Sequence, residues 1–147
     1  ARELMRNADD LKAKTDILVK QFDAIEVLPA KEGQPAVMAN GSLSLGENIA
    51  DQGGLRVAVH GVPQLAERRG ACADRQLTAD QRFYLPMRLV GTEIRDEEIA
   101  RLTKLDVHSL GQWRVDATLR NLQDFFDAFN ITDGKMYMPV EERVIIW

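Results

Sequence analysis

The sequence is organised around residues 46–55, which read GENIADQGGL. The stretch lies in a segment with helical spacing, and two acids, Glu47 and Asp51, stand four residues apart in it. Positions four apart share one face of a helix, since each residue advances the helix by about 100°. The same face continues through two small residues, Gly54 and Ala58. The stretch therefore predicts a helix edge with two carboxylates, followed by a notch where another backbone can approach.

These two acids admit two interpretations. Carboxylates in a run otherwise made of Gly, Ala, Ile and Leu need a cation, a hydrogen-bond donor or a metal as partner. In the structural interpretation, Ser44 and Glu47 form a capping box at the helix start, and Asp51 is a solvated or ion-paired acid. In the functional interpretation, Glu47 ligates a metal ion and Asp51 orients a neighbouring ligand. Spacing alone favours the first interpretation and leaves the second open.

Length and composition fit one globular domain. The chain has 147 residues, of which 45% are hydrophobic and 29% charged, and these are ordinary values. The net charge of −4, with both signs interspersed, argues against a nucleic-acid-binding surface. The longest apolar runs are too short to span a bilayer. The single cysteine, Cys72, excludes an internal disulfide and predicts an incidental thiol. The chain opens with Ala1, which suggests a fragment or a processed chain.

The first half of the chain predicts two helices separated by a loop. No Gly or Pro occurs from Leu4 to about Leu28, and mainly apolar residues recur at steps of three and four from Leu4 to Ile25. This pattern predicts one amphipathic helix of some 20 residues, ended by Pro29. The heptad spacing also permits a coiled coil, but packing on a neighbouring helix is the favoured interpretation. Residues 30–41 predict a loop with a turn at Asn40-Gly41. The second helix is predicted from Ser44 to Gly61, with Pro63 closing it.

The second half predicts shorter helices and long connections. Residues 64–77 predict an exposed connection, and Thr78 to Gln81 matches a capping box at the start of a helix. This helix is predicted to carry Phe83, Tyr84, Met87 and Leu89, although Pro86 must bend or interrupt it. Acids at 96–98 predict another short helix ending near Lys104. Asn121 is predicted to cap a helix that buries Leu122, Phe125, Phe126 and Phe129. The apolar residues 144–147 are predicted to pack, with a strand as one form that they can take.

Only two histidines occur in the chain. His60 lies near the predicted C-terminal end of the second helix, where the helix dipole favours an imidazolium, so its expected role is structural. His108 lies in a connection between predicted helices, and Arg114 follows six residues later. A histidine and an arginine on one loop could hold an oxyanion and a carboxylate. No His-Glu-x-x-His motif occurs, so Glu47 is a lone candidate, whereas a catalytic zinc needs about three protein ligands.

Together these segments resemble one family. Residues 40–55 resemble the Gly-Glu-Asn-Ile-Ala-Asp-x-Gly-Gly segment of the neprilysin and endothelin-converting-enzyme family of zinc metallopeptidases. Residues 106–109 with Arg114 resemble that family's His-Ser-Pro stretch, although Leu110 stands where many relatives have proline. Residues 124–129 and 136–147 resemble its C-terminus. The similarity covers nearly the whole chain and is closest in character to the bacterial oligopeptidase branch.

The resemblance implies a mainly α fold, in which residues 1–147 form the C-terminal helical part of a thermolysin-like metallopeptidase catalytic domain. It also implies a role for each matching residue. Glu47 matches the third zinc ligand, and Asp51 matches the acid that hydrogen-bonds a zinc-binding histidine. His108 matches the residue that stabilises the oxyanion, and Arg114 matches the residue that grips the substrate.

The implied activity is zinc-dependent hydrolysis of oligopeptides by a metalloendopeptidase that holds one zinc ion. The His-Glu-x-x-His half would supply the other zinc ligands and the general base. Because that motif does not occur here, the isolated chain is expected to be inactive and the acids at 47 and 51 to relax into solvent. The expected partners are peptides and the upstream half of the same domain, and the expected location is the periplasm or surface of a bacterium, with the cytoplasm possible. The alternative is a non-catalytic helical domain, structural or for interaction, descended from this family.

Overall fold

A computed structural model of the chain describes residues 2–69, 77–86 and 95–146. Helices dominate these residues, as predicted, and one short hairpin accompanies them. In chain order the elements are α1 (Arg2–Asp23), β1 (Glu26–Leu28), β2 (Val37–Met38), α2 (Leu45–Arg69), α3 (Ala79–Tyr84), α4 (Asp96–Leu105), α5 (Gly111–Leu119) and α6 (Gln123–Phe129).

The first helix forms where the apolar spacing predicts it, but it ends earlier in the chain than predicted. Its apolar stripe buries Leu18 and Phe22 against the rest of the molecule. The helix ends at Asp23, and the Ile25 N–H donates to the Phe22 carbonyl, which turns the chain. The prediction that it continues to Pro29 was wrong. Strand β1 takes up the following residues, because β-branched side chains pack well from an extended backbone that has found a partner strand.

The hairpin occupies the end of the predicted first helix and part of the predicted loop. Strands β1 and β2 pair antiparallel, with Glu26 opposite Met38, and a bridge between Lys31 and Gln34 closes the hairpin. Two strands of three and two residues carry too little periodic pattern to be recognised. They form a hairpin because each strand provides backbone hydrogen-bond partners for the other.

The turn predicted at Asn40-Gly41 is present, and it sets the approach to α2. The Ser44 N–H donates to the Asn40 carbonyl. At Gly41 a Cβ atom would lie 2.3 Å from the backbone oxygen of Val19, so no side chain fits there. The Gly41 N–H donates to the Asp23 carboxylate at 2.7 Å. This contact fixes the start of α2 against α1.

Helix α2 is longer than predicted. It begins at Leu45 and continues to Arg69, so Pro63 does not end it and residues 64–69 are helical. A proline removes one backbone hydrogen bond and can bend a helix without stopping it. His60 therefore lies within the helix instead of near its end, and its side chain is exposed.

The short helices of the second half were predicted with mixed success. The Thr78 capping box forms as predicted, with both of its hydrogen bonds to Gln81 present. The acidic start of α4 at Asp96 is also confirmed. Helix α5 was not predicted, because its apolar residues follow the helical repeat only weakly. Asn121 does not cap α6, since Leu122 occupies the cap position without a side-chain bond.

The C-terminal segment packs as predicted but forms no strand within the described residues. The buried side chain of Gln52 replaces a partner strand. Its amide Nε2 donates to the Val144 carbonyl at 2.8 Å, and its Oε1 accepts the Ile146 N–H at 2.8 Å. Asn121 accepts the Val144 N–H at 2.8 Å. Predictions on Cys72 and Trp147, and those on Met87 and Leu89, concern residues outside the described part of the chain.

Two apolar clusters form the core. One cluster joins α2, α3 and α6, and it includes the edge-to-face pair of Tyr84 and Phe125 with ring centroids 5.3 Å apart. The other joins α1 to α5 and the C-terminal segment around Phe22 and Ala117. Helix α5 therefore has its C-terminal residues 116–119 buried in the core, and it also packs against α2. No helix in the described ranges is long and apolar enough to cross a membrane.

Candidate active site

The two acids of α2 lie on one face, as the spacing predicts, but neither is left without a partner. The side chain of Glu47 is 40% exposed and that of Asp51 is 20% exposed. The capping-box interpretation of Glu47 is not supported, because the Ser44 N–H donates to the Asn40 carbonyl instead. The expectation that both acids relax into solvent was wrong, since groups from α5 and from the turn before it reach them.

Asp51 pairs with Arg114, which lies on α5 and not on the loop that carries His108. Arg114 Nε and Nη2 donate to the two carboxylate oxygens of Asp51, each at 2.7 Å. This two-pronged geometry is the strongest form of a carboxylate–guanidinium contact. The hydrogen bond to Asp51 raises the pKa of Arg114 above its usual value. The pair fixes α5 against α2 and leaves the Nη1 group of the guanidinium for a second acceptor.

Glu47 meets His108, and the histidine meets a second carboxylate behind it. His108 Nε2 lies 3.4 Å from a Glu47 carboxylate oxygen, and its Nδ1 lies 2.8 Å from Asp106 Oδ1. A carboxylate accepts only, so Nδ1 carries the hydrogen in the second contact. The His108 backbone N–H also donates to Asp106, and this bond holds the pKa of the Asp106 carboxyl below its usual range. The ring is thereby oriented with Nε2 toward α2.

An open groove adjoins these pairs. It has a volume of about 420 Å³ and runs between α2 and α5. Asp51 and Arg114 lie on its walls, and Gly54 contributes open space in which a Cβ atom would meet nothing within 4 Å. The notch predicted beside the two acids thus exists at Gly54. Its walls also include Ala50, Leu55, Gly111 and Val115.

The described residues fit one metal-ligand position and not a complete site. Glu47 presents a half-exposed carboxylate, which is a suitable oxygen ligand for zinc. No group of three His, Cys, Asp or Glu residues within 2–69, 77–86 and 95–146 could hold a metal ion. Glu47 would therefore need ligands from outside these ranges.

Two further residues of the site were missed from the sequence. Asn48 is buried beside Glu47, and its side-chain oxygen accepts a hydrogen bond from the Ser109 hydroxyl at 2.7 Å. Ser109 follows His108 in the chain. Both residues lie inside the stretches that attracted attention, but nothing in their spacing indicates that they touch. Their separation of 61 positions makes the contact a product of the fold.

Comparison with known proteins assigns the chain to a family. A profile of "Peptidase family M13" matches residues 3–145. Endothelin-converting enzyme 1 of Mus musculus is 30% identical over 145 residues, which cover 96% of this chain and 18% of that protein. Neprilysin of Mus musculus is 35% identical over 113 residues, covering 74% of this chain and 15% of that protein.

Solved structures support the same assignment. The crystal structure of the Mycobacterium tuberculosis zinc metalloprotease ZMP1 with an inhibitor superposes with a TM-score of 0.82 and 28% identity, covering 92% of this chain and 21% of that one. PEPO from Lactobacillus rhamnosis gives a TM-score of 0.68 and 29% identity, covering 92% and 19%. The chain spans about a fifth or less of the length of these relatives. Because the family profile and the helical architecture agree over nearly all of it, the chain belongs to peptidase family M13, the family of neprilysin and endothelin-converting enzyme.

Proposed function

We propose that the chain is the C-terminal part of the catalytic domain of a zinc metalloendopeptidase that hydrolyses oligopeptides. The observation that carries the proposal is the convergence of four polar residues at one face of α2. Glu47 and Asp51 come from that helix, His108 comes from the turn before α5, and Arg114 comes from α5 itself. Membership of family M13 supports a peptidase, and the solved relative from Mycobacterium tuberculosis is a zinc metalloprotease.

In this proposal Glu47 supplies one ligand to a zinc ion whose other ligands come from an upstream part of the domain. The bound zinc would supply Lewis-acid chemistry at the scissile carbonyl. Asp51 would accept a hydrogen bond from a zinc-binding histidine while it stays paired with Arg114, since each carboxylate oxygen has a second lone pair. Gly54 supports the proposal, because the open space beside it would let another helix come close.

His108 and Arg114 would act on the substrate. His108 Nε2 points toward the Glu47 carboxylate, so a carbonyl oxygen that develops negative charge beside Glu47 would lie within reach of the ring. Asp106 holds the ring in that orientation through Nδ1. Arg114 lines the groove, where its Nη1 group would bind a carbonyl or carboxylate of the peptide.

The experiment that tests the proposal measures zinc content and peptide hydrolysis in the complete peptidase with Glu47 intact and with Glu47→Gln. The variant keeps the size of the side chain but removes the charge that a zinc ligand needs. We expect it to lose most of the bound zinc and the hydrolysis of peptides. Glu32→Gln serves as the control, because Glu32 is exposed on the hairpin. Full zinc content and activity in Glu47→Gln would overturn the proposal. That result would favour the alternative in which these 147 residues form a non-catalytic helical domain of the protein.

A further inference from the structure

Packing holds the turn with His108 only in part. This turn, residues 106–110, joins α4 to α5, and the two apolar side chains where it begins are open to solvent. Leu105 is 70% exposed and Val107 is 48% exposed. A cavity of about 20 Å³ adjoins the inner side of the turn. The hydrogen bonds of His108 itself go to Asp106 within the same turn, so they do not fix its position relative to α2.

Ser109 supplies a hydrogen bond from this turn to α2. Its hydroxyl donates to Asn48 Oδ1 at 2.7 Å, and Asn48 is only 1% exposed. Ser109 directly follows His108, and Asn48 directly follows Glu47. One hydrogen bond therefore joins the neighbours of the two residues that meet at 3.4 Å. The Arg114–Asp51 pair fixes α5 against α2, but the Ser109–Asn48 bond is the one directly beside His108 and Glu47, whose own contact is half-exposed.

The acceptor is held in one orientation by a chain of hydrogen bonds. The Ser44 hydroxyl donates to the Asn40 carbonyl at 2.9 Å, so toward Asn48 it can only accept. Asn48 Nδ2 donates to that hydroxyl at 3.0 Å. The amide oxygen of Asn48 must then face Ser109. Position 109 consequently requires a donor, and a side chain without one leaves a buried acceptor unpaired.

We propose that Asn48 and Ser109 are positioning residues that set His108 at its distance from Glu47. The inference rests on the proposed function, since it concerns how the oxyanion-stabilising histidine is held beside the zinc ligand. Neither residue touches the substrate in this scheme. Their effect is geometric, and a displacement of about 1 Å in a catalytic group can cost on the order of 10²-fold in rate.

Nuclear magnetic resonance tests the geometric part without any need for activity. The 147-residue chain has two histidines, so its imidazole spectrum is simple and exposed His60 serves as an internal reference. We expect a nuclear Overhauser effect between the His108 ring and the Glu47 side-chain methylene protons. It should be lost in Ser109→Ala and retained in Ser109→Thr, which keeps the hydroxyl. Ser42→Ala is the matched control, because Ser42 is exposed.

Kinetics of the complete peptidase test the consequence for catalysis. We expect Ser109→Ala to lower kcat on the order of 10-fold to 100-fold with KM nearly unchanged, and Ser109→Thr to restore kcat. In a His108→Ala background, Ser109→Ala should cause no further loss, because the residue it positions is gone. A role limited to general stability would lower the melting temperature without this dependence on His108.

The outcomes separate this inference from the proposed function. An unchanged Overhauser effect in Ser109→Ala overturns the inference, whatever the activity. An unchanged kcat in Ser109→Ala also overturns it if His108→Ala lowers kcat. If His108→Ala has no effect, the proposed role of His108 fails, and the spectroscopic result still decides whether the Asn48–Ser109 bond positions the ring. Ser44→Ala breaks the same chain of hydrogen bonds from its other end and should weaken the same Overhauser effect.

Discussion

At the scale of single residues, the site consists of two carboxylates that each meet a basic group. Asp51 binds Arg114 through two short hydrogen bonds, whereas Glu47 meets His108 at 3.4 Å. The first contact is rigid because both prongs of the guanidinium are used, and it fixes the relation of α5 to α2. The second contact is longer and half-exposed. Glu47 is thus the more available of the two acids for a further partner.

Replacement of His108 by alanine should slow catalysis without removing the metal. In the complete peptidase we expect kcat to fall on the order of 10²-fold to 10³-fold, the usual cost of one lost oxyanion donor. Zinc content should stay near that of the unaltered protein, since His108 is not a proposed ligand. Steady-state kinetics and metal analysis measure the two quantities. His60→Ala is the control, and equal turnover in His108→Ala and the parent would contradict the assignment.

Replacement of Arg114 should act mainly on substrate binding. We expect Arg114→Ala to raise KM roughly 10-fold to 100-fold, which matches the loss of a charge-assisted hydrogen bond of about 1.5–3 kcal/mol. Arg114→Lys keeps the charge but cannot make the two-pronged contact with Asp51, so it should rescue only part of the loss. Arg101→Ala is a suitable control, because Arg101 forms an exposed pair with Glu98. An unchanged KM in Arg114→Ala would exclude the proposed role.

At the scale of elements, buried amides join segments that are distant in sequence. Asn121 is fully buried at the end of α5, and its side chain bonds Gln21 of α1, the Ala117 carbonyl and the Val144 N–H. Gln52 of α2 binds the same C-terminal segment. These side chains satisfy backbone groups that would otherwise need a partner strand. They explain why the segment packs firmly while it forms no strand in the described residues.

Removal of the Asn121 side-chain contacts should lower the stability of the fold by a large amount for a single substitution. We expect Asn121→Ala to lower the free energy of unfolding by roughly 2–3 kcal/mol, because it leaves buried donors and acceptors without partners. Chemical denaturation monitored by circular dichroism measures this change. The control is Asn7→Ala, an asparagine exposed on α1, which should change stability by less than about 0.5 kcal/mol. Equal stability of Asn121→Ala and Asn7→Ala would show that the Asn121 contacts do not stabilise the fold.

At the scale of the whole molecule, one side of α2 is covered by the rest of the chain and the other side borders an open groove. The buried side carries Asn48 and Gln52, each 1% exposed. The groove of about 420 Å³ lies along Asp51 and Gly54. This asymmetry fits a chain that contributes one wall of a larger site. The chain spans about a fifth or less of the length of its relatives, which agrees with that arrangement.

The isolated 147-residue chain should therefore neither hold zinc nor hydrolyse peptides. Within the described residues Glu47 is the one proposed ligand, whereas a catalytic zinc needs about three protein ligands. Metal analysis after dialysis and an assay with a fluorogenic peptide measure the two properties, with the complete peptidase as the positive control. Tight binding of one zinc ion per chain would contradict this prediction.

The sequence by itself determined the helical class, and its resemblance to known sequences determined the family and indicated the polar residues of the proposed site. Helical spacing determined only that Glu47 and Asp51 lie on one face, because two positions four apart share a face whatever the rest of the chain does. The Thr78 capping box and the acidic start of α4 were predicted for the same reason. Each depends on contacts within one turn of helix.

Tertiary structure decided how those residues are paired. The bonds of Arg114 to Asp51 and of Ser109 to Asn48 span more than sixty positions, and no local pattern encodes such contacts. The hairpin and the early end of α1 were likewise settled by partners elsewhere in the fold. Burial of apolar side chains stabilises these local structures. An extended or bent backbone is stable only where its polar groups and its apolar side chains find partners.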